Sequence, residues 1–169
     1  HISMEKKEVK MNPISGTFRK DVQKTRAEQQ HDLQTFLDDK KETFELFMVT
    51  DEELKMMCAI CDKGGYINGP FLKEMAHLIH TEYVLVGESA YTIPELLRAS
   101  MYAPTVTGSP IQNACRIIKK YETQSRGYYS ATIALIGRDE QGSAFLDAPI
   151  TIRSLEVHKW GKVVGHVGA

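Results

Sequence analysis

The sequence predicts an α+β fold in which antiparallel β-sheets are flanked by helices. Its helical and strand-like segments come in blocks and do not alternate regularly along the chain, which favours α+β over a parallel α/β fold. The last third contains three strand-like segments separated by RDEQGS and HKWG, which are typical hairpin loops. With 169 residues, of which 42% are hydrophobic, the chain is long enough for one domain with its own core.

The first third predicts strands followed by helix. Residues 1–19 alternate weakly between apolar and polar positions and end in NPISGT, which predicts a turn built on Pro13 and Gly16. Residues 20–32 are polar without an apolar stripe, so they predict either a solvated helix or a linker. Apolar residues at helical spacing over 33–60 predict one helix or two consecutive helices.

The middle of the chain alternates short strands and helices. YINGPFL predicts a short strand and turn, and KEMAHLIHTEYVLVGES begins polar and ends in a β-branched run that predicts a strand. TIPE opens a short helix over 93–101. Ser109 is predicted as the N-cap of the next helix, with Pro110 at its first position and Tyr121 near its end. The hydroxyl-rich turn TVTGSP could present N–H groups to a carboxylate or phosphate, or could simply cap a helix.

Composition excludes several classes of protein. The formal net charge of −1 argues against a nucleic-acid-binding module, which usually carries a basic stripe. No apolar run approaches the ~20 residues needed to span a membrane. The charged start HISMEKKEVK lacks the apolar core of a secretory signal, so we expect a cytoplasmic protein.

Two of the three cysteines, Cys58 and Cys61, form a C-x-x-C motif. This motif could bind metal or act in redox chemistry, but no second pair completes a zinc site. Because the motif lies at the end of the apolar stretch KMMCAIC, both residues are interpreted as buried, reduced thiols.

Several segments resemble conserved parts of the chorismate-binding enzymes, which include the anthranilate, aminodeoxychorismate, isochorismate and salicylate synthases. TVTGSP, the helix after it and RGYYSA resemble the core of that family. NPISGT, KKETFEL, HLIH, APITIRS and VGA follow the family's order. The segments MNPISGTFR, DEELKMM, GPFLKEMAHLIHTEY and ASMYAPTVTGSP are most similar to the phenazine-pathway branch, the aminodeoxyisochorismate synthases. The resemblance implies that residues 1–169 are an interior or C-terminal part of a single chorismate-binding catalytic domain, incomplete at both ends.

Glu42 and Glu45 are the candidate metal ligands. They are three residues apart, so on a helix they share a face, although acidic pairs on helices are usually solvated. KKETFEL matches the family's acidic-helix motif, which implies that both residues help to hold Mg²⁺ against the ring carboxylate of chorismate. The resemblance places the other metal-binding glutamates in a helix beyond this sequence.

His80 ends HLIH and is the candidate catalytic residue. On a buried strand, a neutral histidine is more often a core residue with satisfied hydrogen bonds. The resemblance implies that His80 lies beside the chorismate ring near the leaving group, with His77 as the alternative if the strand register differs.

Four further residues are candidate substrate ligands by resemblance. Thr105 and Tyr129 match family residues that hydrogen-bond substrate carboxylates, and Gly168 matches a glycine whose backbone N–H reaches a carboxylate. Arg153 matches an arginine that can pair bidentately with the enolpyruvyl carboxylate, although a surface ion pair is the alternative.

The residue at position 15 bears on the reaction. Aminodeoxychorismate synthases typically carry a nucleophilic lysine at this turn position, whereas Ser15 is small, as in enzymes that let ammonia approach. The resemblance therefore implies Mg²⁺-dependent amination of chorismate at C2. A glutamine amidotransferase domain or subunit would supply the ammonia, and the full-length enzyme would be a homodimer. Anthranilate synthesis with release of pyruvate, and a catalytically silent fragment of such an enzyme, are the alternatives.

Overall fold

The computed structural model describes residues 1–166, which contain five helices and nine strands. The helices are α1 (Arg26–Leu37), α2 (Lys40–Ile60), α3 (Ile93–Ala99), α4 (Pro104–Thr107) and α5 (Ile111–Tyr121). The strands are β1 (Ile2–Glu5), β2 (Glu8–Met11), β3 (Ile14–Arg19), β4 (Gly65–Glu74), β5 (Leu78–Glu88), β6 (Leu135–Arg138), β7 (Ala144–Ala148), β8 (Leu155–Val157) and β9 (Val163–Gly165).

Strand β5 organises a seven-stranded antiparallel sheet. One edge of β5 pairs with β4 along most of its length, while its other edge pairs first with β3 and then with β2. Strands β1, β7 and β6 continue the sheet beyond β2, and β8 and β9 form a separate two-stranded sheet. The antiparallel sheets and segregated helices confirm the predicted α+β class.

Helix α2 packs against this sheet through one apolar face. Its buried apolar residues include pairs three, four and seven positions apart, as one face of an α-helix requires: Leu46, Val49, Met56, Met57 and Ile60. The last three of these join sheet residues in a single core cluster that includes Val9, Met11, Leu85 and Leu146. The core therefore lies between α2 and the sheet.

The polar segment before residue 33 is partly helical. Helix α1 begins after Thr25, whose hydroxyl and backbone N–H exchange hydrogen bonds with Glu28 in a capping box. A second helix starts after Asp39, which accepts a hydrogen bond from the backbone N–H of Lys41 at 2.8 Å. The predicted apolar segment therefore forms two consecutive helices, one of the two alternatives that its spacing allowed.

The turn predicted at NPISGT is wrong. Residues from Ile14 belong to β3, and the pairing with β5 shifts register between Ser15 and Thr17. Gly16 lies between them with φ of 63°, so it forms a bulge instead of ending the strand.

The N-cap predicted at Ser109 is also wrong. Helix α5 begins at Ile111 with Pro110 as its N-cap residue. The Ser109 hydroxyl donates to Glu52 Oε1 on α2 at 2.8 Å, so a tertiary contact takes the group that would have capped the helix. The preceding residues form the short helix α4, which the sequence did not indicate.

The strands of the last third do not form one continuous meander. The hairpins β6–β7 and β8–β9 form at the predicted loops, but β7 pairs with the distant β1 and β8 pairs only with β9. YYSATIALIG contributes only β6, at its end. Strand β4, predicted to be short, runs for 10 residues.

The two cysteines of the C-x-x-C motif differ in exposure. Cys61 is buried as predicted, and burial raises the pKa of its thiol. Cys58 is exposed, so the prediction that it is buried is wrong. In the described range, no helix combines the length and apolar character needed to cross a membrane.

Candidate functional site

A cavity of about 400 Å³ opens beside α2, next to the Gly16 bulge and the start of β5. We call it the polar cavity, because ten of its sixteen lining residues have polar or charged side chains. The lining residues that matter here are His1, Ser15, Gly16, Glu45, Glu53, Lys73, His80, Thr105 and Arg153.

His80 lines this cavity from β5 and is only 4% exposed. Its Nδ1 atom lies 2.9 Å from the Gly16 carbonyl oxygen and 3.1 Å from Thr17 Oγ1. Because a carbonyl can only accept, Nδ1 carries the hydrogen, and the neutral ring has Nε2 as its acceptor. His77 is exposed in the loop between β4 and β5, so the structure brings His80 to the cavity and not His77.

The Gly16 bulge fixes this arrangement. A Cβ added to Gly16 would lie 2.8 Å from the Phe36 ring and 3.0 Å from Thr81 Oγ1. Thr81 also donates from Oγ1 to the Ser15 carbonyl at 2.6 Å. A larger residue at position 16 would therefore displace the carbonyl that orients His80.

Glu42 and Glu45 lie at the start of α2 and already share one cation. The Lys41 ammonium is 3.2 Å from Glu42 Oε1 and 3.6 Å from Glu45 Oε2, and these contacts, led by the Glu42 hydrogen bond, raise the pKa of Lys41. Two carboxylates that reach one cation fit Mg²⁺, which commonly takes one or two carboxylates and keeps several waters.

The two glutamates line different cavities, although Glu42 also lies close to the polar cavity, since a Cβ added to Gly16 would be 3.0 Å from Glu42 Oε2. Glu45 lines the polar cavity, whereas Glu42 lines a neighbouring apolar cavity of about 320 Å³ together with Phe36 and Phe71. Within residues 1–166, no group of three or more His, Cys, Asp or Glu side chains is arranged to hold a metal ion. The predicted pair therefore stands alone in this part of the chain.

Thr105 and Arg153 reach the polar cavity from distant parts of the sequence. Thr105 belongs to α4, and Arg153 lies in the segment between β7 and β8. Arg153 has φ of 54°, a left-handed conformation that costs a non-glycine residue roughly 1–2 kcal/mol. Strained residues of this kind cluster at binding sites.

Tyr129 does not line the polar cavity. It lines a separate cavity of about 360 Å³ together with Lys119 and Arg126. Its ring stacks on His166 with centroids 5.9 Å apart, and the Arg126 guanidinium carbon is 5.7 Å from its centroid. Gly168 lies outside the described residues. Of the predicted site residues, the structure thus brings together Glu45, His80, Thr105 and Arg153.

Sequence reasoning missed Glu53, a polar-cavity residue that is 2% exposed. Its Oε1 lies 3.8 Å from His1 Nδ1, and its Oε2 has no hydrogen-bond partner within the described chain. Burial raises the pKa of the Glu53 carboxyl, and the neighbouring His1 offsets part of that increase. The sequence carried a signal, because Glu53 falls on the apolar stripe of α2 between Val49 and Met56.

The profile of the chorismate binding enzyme family matches residues 1–169. The phenazine-specific anthranilate synthase of Pseudomonas chlororaphis is 49% identical over all 169 residues, which make up 26% of that protein. Its counterpart from Pseudomonas fluorescens is 47% identical, also over the whole chain and 26% of its own length. Anthranilate synthase component 1 of Geobacillus stearothermophilus is 31% identical over 90% of this chain and 30% of that protein. The chain spans about a quarter of the length of the two Pseudomonas relatives.

Two solved structures share the fold. The menaquinone-specific isochorismate synthase from Escherichia coli superposes with a TM-score of 0.76 at 14% identity, covering 91% of this chain and 34% of that one. Anthranilate synthase component I from Streptococcus pneumoniae TIGR4 gives a TM-score of 0.75 at 24% identity, covering 91% and 33%. From the profile match over its whole length and its two Pseudomonas relatives, the chain belongs to the family of chorismate binding enzymes.

Proposed function

We propose that the enzyme carrying this chain adds ammonia at C2 of chorismate while the C4 hydroxyl leaves as water, giving 2-amino-2-deoxyisochorismate. The observation that carries this proposal is the polar cavity, where Glu45, His80, Thr105 and Arg153 meet although they lie far apart in sequence. The two Pseudomonas relatives are both named phenazine-specific anthranilate synthases, which supports an aminating synthase that acts on chorismate.

Each cavity residue has a role that its chemistry suits. The Arg153 guanidinium can pair with a chorismate carboxylate through two parallel hydrogen bonds, and the Thr105 hydroxyl can donate a further one. His80 Nε2 can accept a hydrogen bond from the C4 hydroxyl of chorismate, the group that leaves as water, and so orient it. These groups would hold the ring with one face toward the nucleophile. Carboxylate binding by Tyr129 and by Gly168 stays a prediction, and the separate cavity around Tyr129 gives it no support.

Glu42 and Glu45 would hold Mg²⁺ once Lys41 moves aside. The ion would supply a Lewis acid and a template for the ring carboxylate of the substrate. Glu45, which lines the polar cavity, would be the ligand nearer to the substrate.

Ser15 would leave room for ammonia. It is 6% exposed and lines the polar cavity with a side chain too short to fill it. A glutamine amidotransferase domain or subunit would deliver the ammonia. The complete enzyme would work as a homodimer in the cytoplasm.

Anthranilate synthesis with loss of pyruvate is the second candidate. The relative from Geobacillus stearothermophilus is an anthranilate synthase component 1, and the cavity residues suit both reactions. The third candidate is a catalytically silent part of a larger enzyme, because the chain spans about a quarter of the two Pseudomonas relatives.

The test is product identification with the full-length protein. It is incubated with chorismate, Mg²⁺ and an ammonium salt, and the product is identified by mass spectrometry. We expect an aminated product that retains the enolpyruvyl group. Anthranilate with pyruvate would move the protein to the second candidate, and no Mg²⁺-dependent consumption of chorismate would refute both reactions.

A further inference from the structure

Part of the wall of the polar cavity is formed by three residues whose buried polar atoms have no hydrogen-bond partners in the described chain. The atoms are Glu53 Oε2, His1 Nδ1 and Ser15 Oγ, and their residues all line the same cavity. The Glu53 and His1 side chains are 2% and 1% exposed, and Ser15 is 6% exposed. Buried polar atoms are normally satisfied by protein or by an ordered molecule, so a group of three in one cavity indicates a ligand.

The tautomer of His1 shows which kind of ligand fits. His1 Nε2 is 2.6 Å from the Ser100 carbonyl oxygen, so Nε2 carries a hydrogen. His1 Nδ1 then accepts a hydrogen bond when it carries no hydrogen, and faces Glu53 as a donor when it does. The Glu53 oxygens and Ser15 Oγ can accept hydrogen bonds as well. The wall therefore presents several acceptors to a small molecule with several N–H groups.

The neighbouring lysines pair with other carboxylates, so His1 is the one basic side chain beside Glu53 in the described part of the chain. Lys73 lines the same cavity but pairs with Glu82 at 3.5 Å. Lys55, close by on α2, pairs with Asp51 at 2.7 Å and with Glu52 at 3.1 Å. A buried carboxyl in this setting is stabilised by a proton or by a small cation that can enter the cavity.

We propose that Glu53, His1 and Ser15 form the binding site for the nitrogen nucleophile, as ammonia or the ammonium ion. Ammonia beside a protonated Glu53 and ammonium beside an ionised Glu53 have the same atoms and the same total charge, so the site holds either form. The site opens into the cavity that Glu45, His80 and Arg153 also line. The inference rests on the proposed amination, because it assigns the position of that reaction's second substrate.

The first test is steady-state kinetics of the full-length protein with ammonium chloride as nitrogen source. Glu53→Gln is expected to raise the KM for ammonium by about 10-fold or more, since a neutral amide replaces a carboxylate that can pair with the ammonium charge. Ser15→Ala should raise it by about 3-fold, while the KM for chorismate stays within about 2-fold in both variants. Glu52→Gln is the matched control, because Glu52 is also buried but faces Ser109 and not this wall.

The second test measures binding without turnover. Ammonium chloride should raise the Tm of the wild-type protein above its value in sodium chloride at equal ionic strength. This difference should persist in Glu52→Gln and disappear in Glu53→Gln. Ser15→Ala, in which the difference should shrink, replaces Glu53→Gln if that variant does not fold.

The outcomes separate this site from the proposed function. Wild-type protein that shows the ammonium-specific Tm shift without turnover would keep the site and refute the amination. Turnover with an unchanged ammonium KM in Glu53→Gln and Ser15→Ala would keep the amination and refute the site. Equal Tm values in the two salts would also overturn the site, because water alone would then satisfy these atoms.

Discussion

Helix α2 carries two pairs of glutamates whose surroundings are opposite. Glu42 and Glu45, in its first turns, are 20% and 46% exposed and share the Lys41 ammonium. Glu52 and Glu53, about two turns later, are 6% and 2% exposed. Glu53 and Glu45 are eight residues apart, about 12 Å along the helix, and both line the polar cavity.

The difference shows that the number of acids on a helix face does not decide their chemistry. The first pair is accessible and can take a hydrated divalent cation. The second pair is desolvated, so each of its members depends on a specific partner. Glu52 has Ser109 and Lys55, whereas Glu53 has His1 as its one partner among residues 1–166. One helix would thus position a metal at one end of the cavity and a nitrogen site farther along.

The largest expected effect belongs to Glu45→Gln. Loss of a carboxylate that faces the substrate should lower kcat/KM for chorismate on the order of 100-fold and raise the Mg²⁺ requirement, measured by Mg²⁺ titration of the full-length enzyme. Lys41→Met is the opposing control, and it should bind Mg²⁺ more tightly because the competing ammonium is gone. An unchanged Mg²⁺ dependence in Glu45→Gln would contradict Mg²⁺ binding by Glu42 and Glu45 and would make them ordinary solvated side chains.

Glu42→Gln should have a smaller effect, about 10-fold on kcat/KM. Its carboxylate lines the neighbouring apolar cavity and reaches the polar cavity only beside Gly16, so it would be the ligand farther from the substrate. The same kinetic assay ranks the two variants. Equal losses of kcat/KM in the two variants would show that Glu42 and Glu45 contribute equally, although they line different cavities.

Ser109→Ala tests the second pair through stability. It leaves Glu52 Oε1 with Lys55 as its remaining partner, so the free energy of unfolding should fall by about 1 kcal/mol in urea titration. Glu45→Gln is the control, because an exposed side chain should change stability by less than about 0.5 kcal/mol. A Ser109→Ala variant as stable as its parent would argue against a desolvated second pair.

The smallest effect concerns pH. Burial raises the pKa of Glu53 in the folded protein, so above the usual glutamate range the unfolded chain loses its proton first. The free energy of unfolding should then decrease with rising pH until the folded-state pKa is passed. Glu53→Gln removes this dependence, so its stability relative to wild type should increase from acidic to neutral pH in urea titrations. A pH-independent difference would contradict the raised pKa.

The sequence predicted those features that depend on local patterns. Alternation, helical spacing and hairpin loops located the strand around His80, helix α2 and the loops before β7 and β9. Resemblance to the family supplied Glu45, His80, Thr105 and Arg153, which the structure brings to one cavity. Whether these residues act as proposed stays a prediction.

Features that depend on tertiary contacts were not predictable in this way. Ser109 has the preferred chemistry of an N-cap, but its contact with Glu52 joins residues 57 positions apart. Glu53 was overlooked because a single acid among apolar residues on one helix face does not by itself indicate a site. Its role becomes visible only when the cavity beside it is known. The pairing of β1 with β7 likewise has no local signal.

The pairing of β5 also has a consequence for how the chain folds. Strands β4 and β5 are adjacent in sequence and can form a hairpin within about 1–10 μs. The other edge of β5 must wait for β3 and β2, because Thr81 and Ser15 are 66 residues apart and a loop of that length has to close first. We therefore expect the β4–β5 hairpin to form early. The pairing of β3 with β5, which brings Gly16 to His80, should form late, in the rate-limiting phase of folding.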